Sequence, residues 1–247
     1  MRAFFTLAVL LSLGMPSAAA TEPDLSALAR RLDDLYRSDT CIARLELIAQ
    51  NGPQSRHLQI KSWSRGREKA LLLIEAPARE AGNATLKIGN NLWNYLPNIA
   101  RTIRIPPSMM LASWMGTDIT NDDLVKESSY AGDFVLTLEG RAAEPKGWIV
   151  LCTAKPGVVG RWQKIRLWVD DSAQLPLRME YFDRRGRRAR TQTFDSVREF
   201  SGRRVPTHMV FKNEDEEGRV TEIRYLDLQY GARVPESTFS LSRLEKK

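Results

Sequence analysis

The chain has 247 residues, a formal net charge of +7, and 43% hydrophobic against 27% charged residues. Enough apolar side chains are present to bury a core without disulfide or metal staples, so a disordered chain is excluded. No spacing among its two cysteines and two histidines resembles a zinc site, and no nucleic-acid-binding motif accompanies the positive charge.

The first twenty residues read as a secretory signal peptide. Arg2 gives a positive start, Phe4 to Leu13 is apolar, and Ala18-Ala19-Ala20 offers a cleavage site before Thr21. No cysteine stands at that point, so the mature chain is expected not to be lipidated. No later run is long and apolar enough to span a bilayer. The expectation is a soluble periplasmic protein with one domain over residues 21–247. In that oxidising compartment Cys41 and Cys152 either pair or stay as two buried thiols; the sequence leaves both open. The positive charge is either ordinary solubility charge or an attraction to anionic headgroups or acidic partners.

Asp24 to Arg37 opens the fold as a helix, with Leu25, Leu28, Leu32, Leu35 and Tyr36 at helical spacing and Asp24 as N-cap. Short alternating strands follow at Cys41 to Ala49 and His57 to Ser64. Leu71 to Ile74 is continuously apolar, the pattern of a strand covered on both faces. Ala84 to Ile88, Leu92 to Leu96 and Arg101 to Ile105 complete the first series. After an interruption come Phe134 to Leu138, Trp148 to Thr153, Trp162 to Val169, Leu175 to Phe182, Ala189 to Phe194, Val205 to Phe211 and Val220 to Leu228. Pro235 to Leu244 is a turn carrying Phe239 and Leu241 back to the sheet. About a dozen strands in up-and-down order predict a mainly β fold with one highly curved antiparallel sheet.

The interruption, Pro106 to Val125, organises the rest. It carries Met109, Met110, Leu111, Trp114 and Met115, and a short helix is expected after its double proline. Thioether side chains are flexible and adapt to apolar partners of varying shape. The stretch is therefore either a lid over an apolar cavity or a plug that completes a core. Within it Asp118, Asp122 and Asp123 lack the spacing of a calcium loop. Thr120 as N-cap, with Asp122 and Asp123 in the first turn, accounts for them. His57 and His208 fall in strands as surface or cross-strand residues. There is no nucleophile elbow, phosphate loop or triad, and hence no catalytic residue, metal site or cofactor to assign. Arg184, Arg185, Arg187, Arg188 and Arg190 read as a solvated hairpin tip, or as a contact for anionic headgroups.

The runs Leu92-Trp93-Asn94-Tyr95-Leu96-Pro97, Pro107-Ser108-Met109-Met110, Ser113-Trp114-Met115-Gly116-Thr117-Asp118 and Asn121-Asp122-Asp123-Leu124 resemble the outer-membrane lipoprotein-sorting protein family, related to the LolA-type periplasmic lipoprotein carriers. Leu175-Pro176-Leu177-Arg178, Tyr181-Phe182-Asp183 and Gly202-Arg203-Arg204-Val205-Pro206-Thr207 look like its second half. The resemblance implies an unclosed β-barrel with a helical lid over a concave apolar face, and it implies no reaction. It implies a monomeric carrier that holds lipoprotein acyl chains or lipids for delivery towards the outer membrane. The ligand-contacting residues would be Trp93, Tyr95, Met109, Met110, Leu111, Trp114 and Met115. The alternative is an adaptor or sensor partner of an inner-membrane lipid exporter. The lid-closing arginine of those carriers has no recognisable match in this sequence.

Overall fold

Among the described residues, alternation and turn chemistry produce thirteen strands, joined in one antiparallel sheet. They are β1 (Thr40–Asn51), β2 (Gln54–Arg65), β3 (Lys69–Ala76), β4 (Ala84–Ile88), β5 (Asn91–Leu96), β6 (Arg101–Arg104), β7 (Phe134–Ala143), β8 (Lys146–Ala154), β9 (Lys164–Val169), β10 (Pro176–Phe182), β11 (Arg188–Phe200), β12 (Arg203–Asn213) and β13 (Arg219–Tyr230). This computed structural model describes residues 21–125, 129–158, 160–172, 174–215 and 218–245. The expected signal peptide lies outside them.

The strand order is β6-β5-β4-β3-β2-β1-β13-β12-β11-β10-β9-β8-β7. Two meanders are thus joined through the long β1–β13 pairing, which runs from Cys41 opposite Tyr230 to Asn51 opposite Arg219. β6 and β7 are the edges, and no pairing between them closes the sheet among the described residues. The result is the expected unclosed barrel.

Helix α1 (Leu25–Asp34) is capped by Asp24, whose carboxylate accepts from the backbone of Ser26 and Ala27. It buries Leu28, Ala29 and Leu32 against the inner face of the sheet. Its end is stitched down by Tyr36, stacked on Tyr225 at 4.9 Å and donating to the Pro206 carbonyl, and by Tyr230 donating to the Leu35 carbonyl. In the structure the interruption extends to Asp133, just before β7, and carries two further short helices, α2 (Asn121–Val125) and α3 (Tyr130–Asp133). Asp33 of α1 accepts from Ser129, Tyr130 and Ala131 at the start of α3 and pairs with Arg67, so α1 ties the interruption to the β2–β3 turn.

Both faces of the first meander are covered. Leu45, Leu47, Leu58, Ile60 and Ile74 belong to the main core on the inner face. Leu71, Ala84, Leu86 and Tyr95 form a second core with Val234, Phe239 and Leu244 on the outer face. The last segment supplies that cover through a 3-10 turn at Glu236–Phe239 and helix α4 (Leu241–Glu245). Leu244 reaches the sheet and Leu241 is exposed, because a helix there rotates Leu241 outward. β3 is flanked on both sides, as its continuous apolar run predicts.

Cys41 and Cys152 are free and buried in different clusters. Burial pushes the thiols up to about 11 and about 12, so both stay protonated and unreactive at neutral pH.

The β8–β9 register puts Trp148 opposite Val169, and a Cβ on Gly147 would overlap the Val169 carbonyl oxygen. Gly147→Ala should therefore destabilise by about 1–3 kcal/mol in urea unfolding. An unchanged midpoint would contradict this register.

Candidate functional site

The interruption between β6 and β7 does not continue as a helix after its prolines. Pro107–Met109 is a single 3-10 turn. The chain then folds into a miniature hairpin: Ser113 bridges Thr120, the Trp114 backbone N–H donates to the Ile119 carbonyl at 2.7 Å, and Met115 and Gly116 take positive φ at the tip. Gly116 adopts that backbone without strain, while Met115 at φ 55 does so against the ordinary preference of a side chain with a Cβ. Thr120 then caps α2. Its hydroxyl accepts from the Asp123 N–H at 3.1 Å, and the Asp123 carboxylate accepts from the Thr120 N–H and hydroxyl at 2.8 Å each. The capping expected of Thr120 and Asp123 is what the structure shows.

This hairpin is fastened to the inner face mainly through polar groups. The Asp118 carboxylate, fully buried, accepts from Thr221 and Asn213 at 2.8 Å each and faces Arg219 at 3.5 Å. Arg219 also donates to the Thr117 carbonyl and the Ser113 hydroxyl. From the other meander, Arg56 holds the Met115 carbonyl and pairs with Glu80. At the centre is Arg190, 3% exposed, donating to the Asp118 carbonyl at 3.0 Å and the Asp123 carboxylate at 2.7 Å. Its guanidinium lies over the rings of Trp162, Tyr181 and Phe211 at 4.8, 5.6 and 5.9 Å. Burial pushes the Asp123 carboxyl up, but the Arg190 charge and hydrogen bond and the Thr120 contacts outweigh it and hold it below the usual carboxylate range.

Arg190 is thus no part of a solvated arginine tip. A register shift between Tyr181 and Phe182 sets Tyr181 opposite Arg190 and Phe182 opposite Arg188. Ala189 is the extra residue of a bulge, and beyond it Arg190 shares the inward face of Gln192 and Phe194 by ordinary alternation.

Beside the clamp lies a cavity of about 290 Å³. Leu32 and Tyr36 of α1's end, Ile119, Asp123 and Tyr130 of the interruption, and residues of β9 to β13 line it. The strand contribution is apolar and soft: Ile165, Met179, Phe194, Met209, Phe211 and Ile223. Its polar groups are mostly satisfied within the wall. The Tyr181 hydroxyl donates to Gln192 at 2.7 Å, and the Tyr130 hydroxyl meets the Met179 sulfur at 3.3 Å. Burial raises both phenols, so they remain neutral. Arg37 and Arg67 place positive charge at the α1 side, burial and Arg67 pulling Arg37 down to about 10.

The seven residues singled out from sequence fall in three places, and none lines this cavity. Trp114 is 2% exposed in the main core, its indole N–H donating to the Thr85 hydroxyl at 3.0 Å, and Met115 packs beside that core. Thr85 pairs with Asn94, so Trp93 and Tyr95, opposite Leu86 and Ala84, point to the outer face under the C-terminal segment. Met109 and Leu111 are 50% and 64% exposed, and Met110 and Leu111 line a separate groove. The cavity methionines Met179 and Met209 were missed. Each precedes by two residues an aromatic of the same strand face, Tyr181 and Phe211, and that alternation was the available signal.

Among the described residues no group of three or more His, Cys, Asp or Glu side chains is placed to hold a metal ion. His208 bridges Asp195 and Glu222 across β11, β12 and β13 at 3.0 and 3.1 Å, a cross-strand contact.

The clamp generates a pH prediction. The folded Asp123 pKa lies below its unfolded value of about 3.9, so its stabilisation is complete above that pH and is lost as pH falls through the folded value. Emission of the buried tryptophans should shift to the red over that window. Asp123→Asn, which leaves a buried guanidinium without its anion, should show the shift at neutral pH and cost about 3–5 kcal/mol. Identical acid titrations for both proteins would contradict the assignment.

Comparison with known proteins agrees with this architecture. A family model described as an uncharacterized protein matches residues 66–246. No curated protein matches the chain in sequence. Among solved structures, a DUF1329 family protein from Desulfovibrio piger superposes with a TM-score of 0.78 at 23% identity, over 89% of this chain and 97% of that one. An outer membrane lipoprotein-sorting protein domain from Vibrio parahaemolyticus gives 0.75 at 20% identity, over 90% and 97%. A LolA superfamily protein from Nitrosomonas europaea gives 0.72 at 21% identity, over 89% and 98%. The chain belongs to the family whose model spans residues 66–246, and its fold is that of the LolA superfamily and the outer membrane lipoprotein-sorting domain.

Proposed function

We propose that the protein is a periplasmic carrier of acylated ligands, lipoprotein acyl chains or lipids, in which the mid-chain hairpin and the ligand compete for the inner face of the sheet. The observation that carries this reading is the clamp. The hairpin sits over a soft apolar cavity and is held there by charges and hydrogen bonds, which water can replace when it leaves. The fold shared with a lipoprotein-sorting domain, the signal-like first twenty residues, and the absence among the described residues of a helix able to cross a membrane all accord with it.

Magnitudes support an exchange. The cavity as it stands, about 290 Å³, is at the small end of the range of roughly 300–1,000 Å³ for ligand sites. A full acyl chain therefore needs the hairpin to move. Burying a dozen methylenes contributes on the order of 10 kcal/mol, before association and ordering costs are subtracted. Against it stand the clamp hydrogen bonds at a net of about 1 kcal/mol each, and the burial of Ile119 at about 2 kcal/mol. The ligand's gross gain is largely offset by opening the hairpin and by association, which keeps the closed state stable and the net affinity modest. Near-balance of this kind permits both loading and release.

The test uses purified protein and a fluorescent fatty acid, with mass spectrometry of any lipid that co-purifies. Ile119→Trp, which buries more apolar surface in the cavity when the hairpin is closed, should weaken binding by about tenfold or more. Asp123→Asn should strengthen it, because a ligand that needs the open state binds in proportion to that state's population. Empty protein, no fatty-acid binding, and no effect of either variant would overturn the reading.

A further inference from the structure

A second concavity, separate from the cavity, gathers arginines. A groove of about 770 Å³ runs between the β4–β5 turn, the end of β6, the mid-chain interruption, and the β8–β9 and β10–β11 connections. One part of its wall is apolar: Ile105, Pro107, Met110 and Leu111. Five arginines line it against two aspartates. Arg187 is committed, pairing with Asp183 at 3.0 Å and Asp215 at 3.8 Å. The other four, Arg104, Arg161, Arg184 and Arg185, meet no carboxylate within ion-pair distance among the described residues. Arg104 donates to the Asn91 side chain, Arg184 to the Gly160 carbonyl at 3.3 Å, and Arg161 lies over the Trp162 ring at 4.6 Å. Burial and the nearby Arg190 charge pull the Arg161 guanidinium below its ordinary range, against the opposing pull of Asp123, Asp215 and Asp183.

The partition between groove and cavity is thin and is built from neighbours in sequence. Arg161 faces the groove and Trp162 the cavity; Asp122 faces the groove and Asp123 the cavity. Asp122 and Asp123 belong to the interruption, so its withdrawal would join the two spaces. A molecule with an apolar tail and an anionic head matches that pair of compartments. Four guanidinium groups around one space suit phosphate, whose several oxygens accept from planar donors, better than a single carboxylate.

We propose that this groove receives the phosphate-bearing headgroup of an anionic amphiphile, with Arg104, Arg161, Arg184 and Arg185 on the phosphate and Met110 and Leu111 against its first methylenes. The proposal rests on the carrier reading for the tail and adds the chemical class of the head.

Calorimetric titration with dihexanoyl phosphatidic acid, inorganic phosphate and dihexanoylglycerol tests it, with the fluorescent fatty acid run in parallel. Phosphatidic acid should bind saturably, more tightly than either fragment, and more weakly as salt rises. The triple variant Arg161→Gln, Arg184→Gln, Arg185→Gln should lose about tenfold or more for phosphatidic acid, as expected for charge-assisted hydrogen bonds, and little for the glycerol. A second variant, Met110→Ser with Leu111→Ser on the exposed lip, should weaken phosphatidic acid and leave phosphate unchanged. Equal affinity of the triple variant and the native protein for phosphatidic acid would overturn the proposal, and so would phosphate binding as tightly as phosphatidic acid. If the fatty acid binds while phosphatidic acid gains nothing from its head, the groove proposal fails and the carrier reading stands. If neither binds, both fail.

Discussion

One guanidinium, that of Arg190, sits where the interior of this protein has to be reconciled with its mid-chain hairpin. It is buried among three aromatic rings, and it reaches both a backbone carbonyl and a carboxylate of the hairpin. A buried charge is tolerated only while its partner is in place, and removing one partner costs far more than the pair is worth. Asp123 is therefore both the first-turn partner of Thr120 in capping α2 and the counter-ion of Arg190 on the sheet. The local rule that starts a helix and the tertiary rule that neutralises a cation converge on one side chain.

That arrangement differs from an apolar plug. A plug would fill the interior with shape-matched side chains, and its removal would expose them all to water. Here Trp114 packs in that way, while the span from Thr117 to Asp123 is held chiefly by Arg219, Thr221, Asn213 and Arg190. The Nε of Arg190 and the Oδ1 of Asn213 are buried without hydrogen-bond partners, so the closed clamp leaves part of its polar capacity unused. Opening would hydrate those atoms, which offsets part of its cost. The hairpin is thus held by apolar packing at the tryptophan and by polar contacts beyond it.

The strands were legible because alternation and turn residues act locally. Every one of the thirteen lies where an alternating or apolar run predicts, and Asp24, Thr120 and Asp123 cap as their chemistry requires. What alternation cannot supply is the absolute face. Trp93 and Tyr95 share a side, but both sides of the first meander are covered, one by the interior and one by the C-terminal segment. Nothing in the strand itself says which side faces the cavity. The arginine tract failed for a different reason. Reading the tract as one charged tip overrode the alternation of the strand itself, in which Arg190 shares the inward face of Gln192 and Phe194, while the bulge at Ala189 breaks that alternation only towards Arg188. The interruption is helical only in short pieces, a 3-10 turn after its prolines and then α2, because polar ties to distant strands determine the path between them.

The central claim is that hairpin and ligand occupy the inner face in turn. Hydrogen exchange of the intact protein, followed by mass spectrometry with and without a saturating long-chain fatty acid, tests it most directly. Exchange should rise in the segment 117–124 on loading while β8 and β9 keep their protection. Unchanged or increased protection of 117–124 in the loaded protein would contradict the account.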